Sequence, residues 1–147
     1  FTHNTKARYD VRWINLKIEK TNCVFTQGLE YLYLPIAHGE GNFYTAEAVL
    51  KRLNQEKQIA LRYCKPDGTP ANQEYPYNPN GSLEDIAGLT DPTGKILALM
   101  PHPERHMFFT QRPDWPNLKE QYLRKGEKIP EQGEGLKIFE NAVKYFG

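Results

Sequence analysis

The sequence predicts an α/β fold with a mixed sheet, on three observations. Tyr9–Glu19, Tyr31–Ile36, Ile59–Cys64, Asp85–Leu89 and Ile96–Met100 are strand-patterned. Thr45–Lys57 and Gly135–Phe146 carry apolar residues at helical spacing. The connections between the first two strands and around Gly94 are short. Short connections cannot join parallel neighbours, so antiparallel pairing is expected there. The 147 residues suit a single domain, 1–147, long enough to bury a core.

In chain order, Tyr9–Glu19 alternates through Tyr9, Val11 and Trp13 and then changes phase at Leu16 and Ile18, which predicts a strand bulged near Asn15. Arg12 and Lys17 are expected to face outward. Tyr31–Ile36 follows, and Pro35 places its end at a sheet edge or a bulge. Thr45–Lys57 sets Ala46, Val49, Leu50 and Leu53 on one helical face, with Thr45 as N-cap. Ile59–Cys64 is a strand, and Pro66–Pro70 a turn by composition. Asn80-Gly81 reads locally as a hairpin tip. Asp85–Leu89 and Ile96–Met100 form a hairpin through Asp91–Gly94, and the second strand, uncharged and apolar, reads as buried on both faces. A short helix is expected within Asn117–Lys125, and Glu127–Gly135 reads as a polar loop. The last helix aligns Leu136, Phe139, Val143 and Phe146 and should dock on the sheet.

Composition narrows the function class. A net charge of +1 gives no electrostatic case for nucleic acid or a membrane surface. No apolar run approaches the ~20 residues of a membrane span. Two cysteines, Cys23 and Cys64, fit neither a disulfide framework nor a metal knuckle. A cytoplasmic protein is the expectation.

Chemistry concentrates in Lys95–His106, KILALMPHPERH. Pro101 and Pro103 push Met100 and His102 toward extended geometry. Side chains at i and i+2 of an extended stretch leave on one side, roughly 6.5–7 Å apart. A Glu104 carboxylate at that spacing can fix the tautomer of the His102 imidazole and stabilise its charged form. A solvated turn explains a bare His-x-Glu equally well. The position just past a strand's carboxyl end favours function. Upstream, His38-Gly39-Glu40-Gly41 sets two glycines around an acid, a pattern suited to close approach of a ligand to the backbone, or to a plain turn.

Three motifs in order carry a resemblance: Pro35–Gly41 (PIAHGEG), Asn78–Ser82 (NPNGS) and Met100–Arg105 (MPHPER). Together they resemble the glutaminase subunit or domain of phosphoribosylformylglycinamidine synthase, a class I (triad) glutamine amidotransferase of purine biosynthesis. The resemblance implies a three-layer class I amidotransferase-like fold, with His102 and Glu104 as the His and Glu of a Cys-His-Glu triad. It also implies that His38, Gly39, Glu40 and Gly41 bind L-glutamine, and that the Asn78–Ser82 loop lies near them. Ammonia would pass to a synthetase partner that holds ATP and Mg, with no cofactor and no metal in this chain. The family's nucleophile lies on a tight turn before the first strand, and neither Cys23 nor Cys64 has that context. The chain therefore reads as a C-terminal portion, incomplete at its N-terminus and inactive alone, with the nucleophilic Cys on a preceding part. Two other readings remain at this level. One is a metal-dependent hydrolase using His38, Glu40, His102, Glu104 and His106. The other is a non-catalytic amidotransferase-like binding lobe.

Overall fold

The computed structural model describes residues 1–147. Its elements are β1 (Asp10–Ile18), β2 (Tyr31–His38), α1 (Glu47–Gln55), β3 (Ile59–Cys64), β4 (Ile86–Thr90), β5 (Leu97–Leu99), α2 (Trp115–Lys125) and α3 (Leu136–Phe146). Short 3₁₀ turns at Val24–Thr26, Leu83–Asp85, Pro103–Arg105 and Phe109–Gln111 punctuate the connections. The strands form one sheet in the order β2-β1-β3-β4-β5. The predicted antiparallel pairs are present, and the mixed sheet is not: all four strand pairs are antiparallel. No helix is long and apolar enough to cross a membrane.

β1 and β2 run in unbroken register from Asp10↔His38 to Lys17↔Tyr31, without the bulge expected at Asn15. The phase follows accordingly. Ile14 and Leu16 point into the core with Leu32, Leu34 and Ile36, while Tyr9 and Val11 are exposed. Arg12 lies on the core-facing side of β1, where it stays half-buried by pairing with Asp10 at 2.6 Å. Trp13 is on the opposite face, 5.1 Å from the rings of both Tyr33 and His106. Pro35 marks a sheet edge as predicted, because β2 is the outer strand.

The main core joins these residues to Ala60, Leu61, Tyr63, Cys23 and Ile138. A smaller cluster of Phe43, Ile59 and Ile86 receives Leu50 and Leu53 of α1. The N-cap of α1 is Ala46 rather than Thr45, and no side chain caps it. α2 begins two residues earlier than predicted, with Pro116 in its first turn, where a missing N–H costs nothing.

Two apolar surfaces are less covered than the sequence suggests. β5 forms the far edge of the sheet, so Ile96 is 64% exposed instead of buried between two layers. α3 buries Ile138 but leaves Phe139, Val143 and Phe146 exposed. It packs chiefly on the Val24–Thr26 turn, where Asn141 Nδ2 donates to the carbonyls of Phe25 and Gln27.

The β4–β5 hairpin delivers the segment that leads to His102. Asp91 holds its turn by accepting from the backbone N–H groups of Thr93, Lys95 and Ile96, and from the Thr93 hydroxyl. The Thr93 hydroxyl bond leads these in pulling the carboxyl down to about 2. Gly94 sits at φ +73, and an added Cβ would run into the Asn22 carbonyl. Gly94→Ala should therefore lose about 2 kcal/mol or more of stability, from left-handed strain and the clash together. A urea midpoint unchanged from the parent protein would contradict this account of the turn.

Candidate functional site

His102 is not on an extended run. Pro103 opens a 3₁₀ turn, since its fixed φ suits a first helical position. The turn, rather than pleated spacing, brings Glu104 back to the ring. His102 Nδ1 lies 2.6 Å from Glu104 Oε1. A carboxylate accepts, so Nδ1 carries the proton and Nε2 is left as the basic nitrogen. The side chains are 30% and 55% exposed, which keeps the pair reachable from solvent.

β2 positions this turn. As an edge strand it presents backbone groups with no strand across from them. The His102 N–H donates to the Pro35 carbonyl at 2.8 Å. His106 Nδ1 donates to the Tyr33 carbonyl at 2.9 Å. The Tyr33 N–H reaches Glu134 Oε2 at 2.6 Å, and the Tyr9 hydroxyl donates to the Ala37 carbonyl at 2.9 Å. Pro35 has no N–H to satisfy.

The 38–41 loop begins where β2 ends. Asn4, nearly buried, donates from Nδ2 to the His38 carbonyl and from its own N–H to the Gly39 carbonyl, and accepts from the Gly41 N–H. The Gly41 carbonyl accepts from Asn80 Nδ2 and from the Ser82 hydroxyl. Asn80 is fully buried and also donates to the Tyr63 hydroxyl, so Asn80-Gly81 is an internal clamp and not a hairpin tip. Asn78 supports it, donating to the Ser82 carbonyl and the Asp85 carboxylate. Asp85 accepts in turn from the N–H groups of Asn72 and Gln73.

The role expected for the two glycines changes. Neither Gly39 nor Gly41 has a positive φ. Gly41 is required for space, because a Cβ there would overlap the His38 imidazole, whereas at Gly39 it would meet only Tyr9 at 3.7 Å. His38 packs inward, with both ring nitrogens sealed from solvent and without partners, so it does not present a polar group outward. Glu40 is exposed and faces His3 at 3.2 Å. What the loop leaves free is backbone: the N–H groups of Gly39 and Glu40 make no hydrogen bond.

The metal reading loses its ligand set. No three His, Cys, Asp or Glu side chains converge to hold an ion. His106 is fully buried and bonded to Tyr33, and Glu40 turns toward His3. Both cysteines are buried and unbridged, and burial pushes the Cys64 thiol up to about 11.

Sequence reasoning gives no signal for Asn4, Tyr33 or Glu134, and it offers His106 only as a metal ligand, whereas the ring is bonded to the Tyr33 carbonyl. It also read Glu127–Gly135 as a plain loop. That loop instead grips the site turn: Gly133 N–H donates to the Met107 carbonyl, and Gly135 N–H to the His106 carbonyl. A Cβ at either glycine would overlap this turn. The available signal was Gly133-Glu134-Gly135, a second copy of the Gly39-Glu40-Gly41 pattern.

Comparison with known proteins defines the class. The family model for the CobB/CobQ-like glutamine amidotransferase domain matches residues 1–146, and the chain belongs to that family. The phosphoribosylformylglycinamidine synthase subunit PurQ of Methanococcus maripaludis (strain C7) is 49% identical over 144 residues, which cover 97% of this chain and 53% of that protein. The PurQ subunit of Dehalococcoides mccartyi is 45% identical over 145 residues, covering 98% and 51%. The structure of PurLQS from Thermotoga maritima matches 99% of this chain and 52% of its own, with a TM-score of 0.65 and 25% identity. The chain thus shares the α/β fold of these amidotransferases and spans about half the length of the curated relatives it matches.

Two predictions follow from the local geometry. Gly41→Ala should destabilise by about 1–3 kcal/mol through overpacking against His38, while Gly39→Ala should be neutral or slightly stabilising. Equal denaturation midpoints for the two variants would refute this. The second concerns pH. Burial holds His38 and His106 below the usual 6.5, with His102 adding to the shift at His38 and Asp10 opposing it. The unfolded chain then binds more protons than the folded one just below that value. Their contribution is complete above about pH 6.5 and is lost as pH falls toward the depressed folded values. Urea midpoints should drop across this window, and a flat profile there would contradict the buried neutral state.

Proposed function

We propose that these residues carry the general-base half of a glutamine-hydrolysing amidotransferase, the glutaminase component of phosphoribosylformylglycinamidine synthase in purine biosynthesis. One observation carries the reading: an Nδ1-protonated His102 is oriented by Glu104 at 2.6 Å, in a chain of the glutamine amidotransferase family. The similar proteins named as PurQ subunits supply the particular enzyme.

In this reading a cysteine thiol gives its proton to His102 Nε2, and the thiolate attacks the side-chain amide carbon of L-glutamine. The tetrahedral intermediate collapses to an acyl-thioester as His102 returns the proton to the departing ammonia. Water, activated by the same imidazole, then releases glutamate and regenerates the thiol. Glu104 holds the ring and stabilises its charged form. The free Gly39 and Glu40 N–H groups suit an anionic or carbonyl oxygen of the substrate, and Gly41 and His38 hold them in place. In this reading the nucleophile lies outside residues 1–147, which is supported by the burial of Cys23 and Cys64, neither of which bonds to His102. On that reading the chain alone is inactive.

Ammonia passes to a synthetase partner that uses ATP and Mg to amidate formylglycinamide ribonucleotide, in the cytoplasm, and this chain itself carries no cofactor. The test uses the complete glutaminase with its synthetase. His102→Ala should lower glutamine-dependent turnover by about 10³-fold or more and leave ammonia-dependent turnover near normal, since ammonia bypasses the thioester. Glu104→Gln should fall between the two. Glutamine-dependent turnover that survives His102→Ala would overturn the reading.

A further inference from the structure

The Pro103–Arg105 turn is fastened to β2 at both ends, and the second fastening is a side chain with no part in the dyad. His102 binds the Pro35 carbonyl through its backbone, and His106 binds the Tyr33 carbonyl through Nδ1. Carbonyls two residues apart leave a strand on the same side. The turn therefore lies along the free edge of β2 as a partner strand would, with an imidazole replacing one backbone donor.

The surroundings of His106 hold that donor in place. The residue is fully buried, with its ring edge-on to Trp13 at 5.1 Å. The backbone at Gly133 and Gly135 also packs closely against this residue, and the Gly135 N–H donates to its carbonyl. Its own N–H closes the turn on the Pro103 carbonyl. The far nitrogen, Nε2, has no partner, so hydrogen bonding through the ring rests wholly on Nδ1. The peptide of Tyr33 is tied from both sides, with Glu134 on its N–H and His106 on its carbonyl. Arg112 in turn lies 3.7 Å from Glu134 and pairs with Asp114 at 2.7 Å.

We propose that His106 is a positioning residue for His102. By fixing the far end of the turn to Tyr33, it sets where the His102–Glu104 pair stands relative to the end of β2 and the 38–41 loop. The inference rests on the catalytic reading of His102. Freed from Tyr33, the turn keeps its sequence and its dyad but loses its register on the edge strand. A misplacement of about 1 Å at a reacting group costs about 10²-fold in rate.

The experiment compares His106→Asn and His106→Leu in the complete glutaminase with its synthetase. Asn keeps a donor near the Nδ1 position, and Leu fills similar space without one. His106→Leu should lower glutamine kcat by about 10–100-fold with KM changed by less than about threefold, the size of a lost orienting contact. Ammonia-dependent turnover should be unchanged, and His106→Asn should recover most of the lost rate. The proton shared by His102 and Glu104, read by NMR as a downfield signal, should broaden or shift in His106→Leu and return in His106→Asn. The proposal is overturned if His106→Leu retains the parent glutamine kcat, if Asn fails to rescue, or if ammonia-dependent turnover falls in parallel. His102→Ala, run alongside, separates the two readings. If it is inactive with glutamine while His106→Leu is normal, only the positioning role fails. If it stays active, the catalytic reading fails with it.

Discussion

The free edge of β2 is the constraint on which the rest of the site depends. A sheet edge carries unpaired N–H and C=O groups that must find partners or water. Here the Tyr33 N–H and the carbonyls of Tyr33, Pro35 and Ala37 are met one by one, by Glu134, His106, His102 and Tyr9. The strand thereby acts as a rail. The turn bearing the His102–Glu104 pair is registered on it, and the 38–41 loop continues from its end. Pro35 makes the arrangement economical, because it removes an edge donor at the point where the His102 backbone docks.

Polar side chains hold the loop at the end of β2. Asn4, Asn80 and Ser82 occupy the carbonyls of His38 and Gly41 and the N–H of Gly41. Each is buried, so each unmade bond would carry a desolvation cost of about 1–3 kcal/mol. This network selects one loop conformation and leaves two adjacent N–H groups outside it. His38 belongs to the same support, as a neutral ring that fills the space beside Gly41. The two Gly-Glu-Gly segments play parallel parts. In the first, Gly41 leaves room for the neighbouring His38 ring; in the second, Gly133 and Gly135 leave room for the backbone at His106 and Pro103, and the glutamate caps the edge strand.

The segments that local pattern identified are mostly where it placed them. β3 matches Ile59–Cys64 to the residue, and the β4–β5 hairpin turns at Gly94. Pattern failed where a neighbour decides. Ile96–Met100 looks buried because it is apolar, but burial depends on what lies across the sheet, and β5 is an edge. The phase read from Tyr9–Glu19 differs from the observed one because exposed Tyr9 and Val11 mimic an inward face. Asn80-Gly81 carries a local turn signal, yet its role comes from Gly41 and Tyr63, 39 and 17 residues away.

The sequence by itself determined the α/β class, the glutamine amidotransferase motifs and the identity of the His102–Glu104 pair. Proline-constrained backbone and residues two apart leave few arrangements, and short-range chemistry is written in adjacent letters. Only the tertiary structure decided which nitrogen of His102 is free, that His38 faces inward, and that His106 and Glu134 serve the site. Those facts depend on which backbone groups are left unpaired once the sheet has assembled. That is fixed by strand order and register across contacts up to 101 residues apart, which no local pattern records.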